Sequence, residues 1–239
     1  MGAGGILVAL DTTDLGVAKG WALAARGAAA GVKIGLELFN ARGAAGVAEI
    51  AALGAPVFLD LKFHDIPNTV AGAVRAVAPL KPMILNLHAS GGPAMMRAAL
   101  DAAGEAAAKL GAAPPKLIAV TVLTSLADAD LAEVGQPSGA SDQVRRLAAL
   151  TRACGLDGVV CSPHEIAALR RDLGRDFLLV VPGVRPVWSA AGDQKRVMEP
   201  RQAMEAGADY LVIGRPITAS PDPGAAARRI AAELSGVAA

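Results

Sequence analysis

Eight short apolar runs recur along the chain, and a stretch with helical spacing follows almost every one. The runs are Ile6–Leu10, Val32–Leu36, Val57–Leu61, Met83–Leu87, Leu117–Val122, Gly158–Cys161, Leu178–Val181 and Tyr210–Ile213. Their near-continuous hydrophobicity predicts strands buried on both faces. Between them, Leu15–Arg26, Ala44–Leu53, Asn68–Val77, Ala94–Leu110, Asp142–Cys154, His164–Leu173 and Pro200–Ala206 place apolar residues at helical intervals, and Ala225–Leu234 closes the chain. Strand followed by helix, repeated in this way, predicts a parallel sheet. Eight such units suit a (β/α)8 TIM barrel, which typically takes about 250 residues; this chain has 239. A doubly wound open sheet is the competing architecture, but no Gly-x-Gly-x-x-Gly follows the first strand. No linker rich in Pro, Ser or charge interrupts the rhythm, so residues 1–239 read as a single barrel domain.

Capping signals support the parse. Ser162-Pro163-His164-Glu165 has the form of a capping box with proline at the first helical position, which makes His164 helical and exposed. Pro200 opens the seventh helix in the same way. Pro186–Val197 is longer than a usual strand-to-helix loop and carries Gly192, Asp193, Gln194 and Lys195, a composition that suits a lid.

Composition narrows the function classes. Hydrophobic residues make up 53% of the chain, which suits a well-buried core and argues against disorder. The net charge is only +1, so no basic surface for nucleic acid is expected. No signal peptide and no membrane span is expected, because Gly, Pro or charge breaks each apolar run early. Cys154 and Cys161 fit no usual zinc or redox spacing and read as two buried thiols of a cytoplasmic protein. Three histidines make a His-based metal centre improbable.

In a barrel of this kind the chemistry sits at the C-terminal ends of the strands, and polar residues gather at those ends here. Asp11 ends strand one. Lys33 lies on strand two, on the face opposite Val32 and Ile34. Strand three runs into Asp60-Leu61-Lys62-Phe63-His64-Asp65-Ile66-Pro67-Asn68-Thr69. Strict alternation puts Phe58, Asp60 and Lys62 on one face and Val57, Leu59 and Leu61 on the other. Asn86 and His88 share a face of strand four, and strand five runs into Thr124 and Ser125. Strands seven and eight lead to Arg185 and to Gly214-Arg215, where barrels commonly hold phosphate. Any one of these positions has an ordinary explanation, such as a helix cap, a satisfied core histidine or a surface ion pair; the joint pattern points to a site. Arg185 and Arg215 suit planar, bidentate recognition of a dianion, with Gln194 as a loop amide. Lys33, Asp60, Lys62 and Asp65 alternate in sign, which favours charged ammonium groups and argues against a Schiff-base aldolase.

Asp60-x-Lys62-x-x-Asp65 followed by Ile66-Pro67-Asn68-Thr69, with Pro182-Gly183-Val184-Arg185-Pro186, Asp193-Gln194-Lys195-Arg196 and Ile213-Gly214-Arg215-Pro216-Ile217, resembles the orotidine 5′-phosphate decarboxylases of bacterial type. The resemblance runs from Ala9-Leu10-Asp11 through Arg215. The Asp-x-Lys-x-x-Asp core is shared with hexulose-phosphate synthases and keto-gulonate-phosphate decarboxylases; the Ile-Pro-Asn-Thr continuation and the Asp-Gln-Lys-Arg loop favour the orotidylate enzymes.

The resemblance implies cofactor-free conversion of orotidine 5′-phosphate to uridine 5′-phosphate, the last step of de novo UMP synthesis. It implies that Lys62 protonates C6 as carbon dioxide leaves, that Asp60 lies beside the substrate carboxylate, and that Lys33 binds the ribose and steadies Asp60. Asp11 would accept a ribose hydroxyl, and Thr124, or its neighbour Ser125, would contact the substrate after strand five. Arg185, Gly214 and Arg215 would hold the phosphate, with Gln194 bridging base and phosphate. Members of this family form homodimers, so Asp65 and Thr69 are expected to reach the partner's site.

Overall fold

The structure is a computed structural model in which residues 5–136, 139–189 and 198–235 are described. Eight strands close into a barrel in chain order: β1 (Gly5–Ala9), β2 (Gly31–Ile34), β3 (Val57–Phe63), β4 (Ile84–His88), β5 (Lys116–Val120), β6 (Gly158–Val160), β7 (Leu178–Pro182) and β8 (Tyr210–Ile213). Among the described residues the helices are α1 (Leu15–Ala24), α2 (Leu36–Ala51), α3 (Pro67–Val77), α4 (Gly92–Leu110), α5 (Asp128–Glu133), α6 (Ala140–Ala153), α7 (Ile166–Leu173), α8 (Pro200–Ala206), α9 (Arg215–Thr218) and α10 (Pro223–Leu234). The expected (β/α)8 barrel is the observed fold, and each expected strand and helix has its counterpart.

Several boundaries move by a residue or two, as where β3 runs on to Phe63 and β5 ends at Val120, and at α2 the reason is physical. Leu36, expected at the end of the second strand, is the first residue of α2, because the chain turns at Gly35 and Leu36 faces solvent. Within α2, Gly43 (φ +61, ψ −161) leaves the helical region, so its periodicity was readable only from Ala44 onward. Short α5 and α9 were not expected from the pattern.

Backbone packing divides the chain into two compact units, one up to Asp60 and from Val181 onward, the other Leu61–Val180. In the first, β1 lies between β8 and β2, with Leu7 opposite Val212 on one side and Gly31 on the other. Lys33 of β2 then pairs with Phe58 of β3. Ile6, Leu7, Val8, Ile34, Phe58, Leu59 and Leu211 are buried. Each such side chain removed from water contributes roughly 1.5–3 kcal/mol. A Cβ on Gly31 would lie 2.4 Å from the Pro56 carbonyl oxygen, so only glycine allows that approach.

In the second unit β4, β5, β6 and β7 pair in order, with Asn86 opposite Ile118, Val120 opposite Val160, and Val160 opposite Val180. Here Gly158 meets the Leu178 backbone: a Cβ would come within 2.3 Å of its carbonyl oxygen. Helix α3 buries Val70, Ala71, Val74 and Val77, spaced at three and four residues, against α4. Helix α4 buries Met95, Met96, Ala99, Ala102, Ala103, Ala106 and Ala107, and the Thr151 hydroxyl of α6 lies 3.8 Å from Met96 Sδ. The capping box forms as read: Ser162 Oγ accepts from the His164 N–H and Glu165 Oε2 accepts from the Ser162 N–H. His164 is exposed, in a 3₁₀ turn that leads into α7. Burial pushes the Glu165 carboxyl up, against the opposing pull of its bonds to Ser162. Between α6 and α7, Arg145 Nε donates to Asp172 Oδ2 at 2.6 Å, and that bond holds the Asp172 carboxyl below the usual carboxylate range. Cys154 and Cys161 are buried thiols, as expected. Among the described residues no helix is long and apolar enough to cross a membrane.

Candidate active site

The first unit assembles a charged chain. Lys33, on β2, places Nζ 3.0 Å from Asp11 Oδ1 and 3.4 Å from Asp60 Oδ2. Asp11 follows β1 and Asp60 lies on β3, so three elements converge on one ammonium. The side chains of Lys33 and Asp60 are each only 10% exposed, whereas Asp11 is 55% exposed. Burying ions costs several kcal/mol apiece unless they are paired, so stability alone is a weak reason for this arrangement. Gly35 makes room for it: a Cβ there would lie 2.8 Å from Lys33 Nζ and 3.5 Å from Asp11 Oδ1.

Three expected anion-binding residues lie in the same unit. Arg185 is buried, and its backbone N–H donates to the Met198 carbonyl at 3.0 Å, next to a parallel bridge between Val184 and Met198. Gly214 precedes α9, and its carbonyl accepts from the N–H groups of Ile217 and Thr218. Arg215 opens α9 and is exposed. Gln194 lies outside the described residues.

The second unit carries Lys62, half-buried at the end of β3. Strict alternation fails there. Lys62 has φ +51, in the left-handed region, so its side chain is not placed by the same rule as Phe58 and Asp60. For a residue with a Cβ this conformation costs roughly 1–3 kcal/mol and persists only where surroundings enforce it. The Lys62 backbone N–H donates to Oδ1 of Asn86, a fully buried residue of β4, at 2.8 Å. His64 and His88 stand with ring centroids 5.3 Å apart. Asp65 is exposed, its Oδ1 accepting from the Ile66 N–H at 2.6 Å, and Ile66 is 67% exposed. Thr69, in the first turn of α3, is also exposed. Thr124 and Ser125 form the tip of an exposed turn closed by the Leu126 N–H on the Leu123 carbonyl. The hydroxyl buried at the end of β5 is instead that of Thr121, which donates to the Val160 carbonyl at 3.1 Å. A cavity of about 300 Å³ opens beside it, lined by His64, His88, Ser90, Thr121, Leu123 and Gln136.

The structure thus joins Asp11, Lys33 and Asp60 directly, and sets Lys62, Asp65 and Thr69 along the segment that follows. Gly35 and Thr121 were missed by sequence reasoning, and Asn86 was noted without a role. For Gly35, a glycine immediately after a charged strand and before a helix was the available signal. Among the described residues no cluster of three or more His, Cys, Asp or Glu side chains could hold a metal ion.

Residues 5–230 match the family described as orotidine 5′-phosphate decarboxylase / HUMPS. The chain belongs to this family. It is 61% identical, over 97% of its length and 94% of the relative's, to the orotidine 5′-phosphate decarboxylase of Rhodospirillum rubrum. That of Moorella thermoacetica is 54% identical over 97% of this chain and 92% of its own. Among solved structures, the orotidine 5′-phosphate decarboxylase of Lactobacillus acidophilus superposes with a TM-score of 0.85 at 38% identity, covering 98% of this chain and all of that one.

Proposed function

We propose that the protein decarboxylates orotidine 5′-phosphate to uridine 5′-phosphate without a cofactor, as the last step of UMP synthesis. The observation that carries this reading is Lys33 held between Asp11 and Asp60, two residues before Lys62, in a chain of this family. The C6–carboxylate bond breaks, carbon dioxide leaves, and its electron pair stays on C6. Lys62 Nζ then supplies the proton that C6 takes up. A preorganised cation beside a developing negative charge is the most effective kind of stabilisation open to side chains alone.

In this reading Asp60 faces the departing carboxylate, and Lys33, fixed by two carboxylates, binds the ribose and keeps Asp60 in place. Asp11 takes a ribose hydroxyl, and Thr124, or its neighbour Ser125, contacts the substrate after β5. Arg185, Gly214 and Arg215 hold the phosphate, with Gln194 bridging base and phosphate. Binding energy from the phosphate, remote from C6, supports the reactive geometry. The barrel residues 1–239 act as one catalytic domain, and the working form is a homodimer whose exposed Asp65 and Thr69 enter the partner's site.

The direct test is to add orotidine 5′-phosphate to EDTA-treated protein and follow the pyrimidine ultraviolet absorbance. Prompt formation of uridine 5′-phosphate is expected. No conversion by folded protein sinks the reading and directs the assay to ketose phosphates with magnesium. Lys62→Ala is expected to lower kcat by at least about 10²–10⁴-fold, the range for a positioned proton donor, with the fold retained by circular dichroism.

A further inference from the structure

Asn86 is among the buried polar residues to which the roles proposed above give no task. Asn86 is fully buried on β4, and its Oδ1 receives the Lys62 backbone N–H at 2.8 Å. Lys62 is one of two described non-glycine residues with positive φ, the other being Lys81 in a turn. A left-handed φ at a strand end turns the Cα–Cβ bond out of the ladder's alternation, and with the chain path kept it can return to extended only if the peptide plane before it, which carries its N–H, rotates. It stays there only if the surroundings over-determine it. A buried amide oxygen on that N–H is such a constraint. If Lys62 relaxed to extended backbone, this hydrogen bond between two interior groups would break, and a bond lost there costs free energy. The side chain of Asn86 and the backbone of Lys62 therefore hold each other.

We infer that Asn86 is a positioning residue for decarboxylation: it locks the left-handed backbone of Lys62 and so fixes where the ammonium group stands. This inference rests on the reading of Lys62 as proton donor. It assigns Asn86 no contact with substrate. Losing the lock therefore costs turnover and spares affinity, because the phosphate and ribose contacts lie elsewhere.

The test compares Asn86→Leu, close in volume but without an acceptor, with Asn86→Asp, which keeps an oxygen at the same position. Steady-state kinetics with orotidine 5′-phosphate should show kcat of Asn86→Leu about 100-fold below wild type, the scale of a misplacement near 1 Å. KM should stay within about threefold, and Asn86→Asp should recover at least about a tenth of the wild-type kcat. A folded Asn86→Leu enzyme with kcat within twofold of wild type overturns the inference, as does an Asn86→Asp enzyme no better than Asn86→Leu. Should Asn86→Leu fail to fold, hydrogen exchange of the wild-type Lys62 amide decides: slow exchange is expected, and exchange as fast as an exposed loop amide overturns the lock. Failure of wild type to decarboxylate the substrate overturns the reading of Lys62 instead, and the amide measurement still reports on the lock.

Discussion

Lys33 shows how much depends on an absent atom. Its Nζ lies within ion-pair distance of Asp11 and Asp60 because Gly35 has no Cβ. Gly35→Ala would force the ammonium to move, since the new carbon would stand 2.8 Å from it. Misplacements of this order cost up to about 10²-fold in rate, and we expect kcat/KM for orotidine 5′-phosphate to fall about tenfold to a hundredfold with little change in Tm. Unchanged kinetics would mean that the lysine's position is not critical. The identities of the charged residues were legible in the sequence, because carboxylates and lysines at the mouths of apolar strands are conspicuous. The neighbours that aim them were not. A period-two rule assumes extended backbone, so it could not foresee φ +51 at Lys62. In the sequence Asn86 is one more polar residue on a strand; its oxygen on the Lys62 N–H is a feature of the fold alone.

At the scale of elements, the strands announced themselves through continuous apolar runs, and the long helices through their buried faces. What escaped notice was short. Helix α5 has six residues and one buried side chain, Leu131, too few to show a period. Helix α9 has four residues and includes Pro216, which reads as a breaker. Neighbouring strands depend on glycine where backbones approach. Gly158→Ala would place a Cβ 2.3 Å from the Leu178 carbonyl oxygen, and overpacking of this kind costs typically about 1–3 kcal/mol. Urea titration should show that loss as a lower midpoint with an unchanged slope. The joint between α6 and α7 predicts a pH effect. Because Arg145 holds the folded carboxyl of Asp172 below its unfolded value, the bond stabilises above the ordinary carboxylate range and is lost as pH falls through the lower folded value. The Tm deficit of Asp172→Asn should therefore be present at neutral pH and vanish in strong acid; a constant deficit would exclude this linkage.

For the whole molecule, the exposed run from His64 to Thr69 bears on assembly. If Asp65 serves the partner's site, mixing inactive Lys62→Ala and Asp65→Ala subunits should restore activity, because a hybrid dimer holds one intact site. Confirmed subunit exchange with no recovery would place Asp65 elsewhere. The left-handed turn at Lys62 reaches further, into what selection can and cannot improve. Glycine adopts that conformation freely and asparagine more readily than lysine does. Lys62→Gly should thus relieve about 1 kcal/mol and raise the melting temperature by roughly 2–4 °C for a chain of this size, while destroying turnover. A dead variant that melts no higher would show the turn to be unstrained. If it does melt higher, thermostability and catalysis are set against each other at a single position. Libraries screened for heat resistance alone would then drift away from lysine at 62 and enrich robust proteins that do nothing.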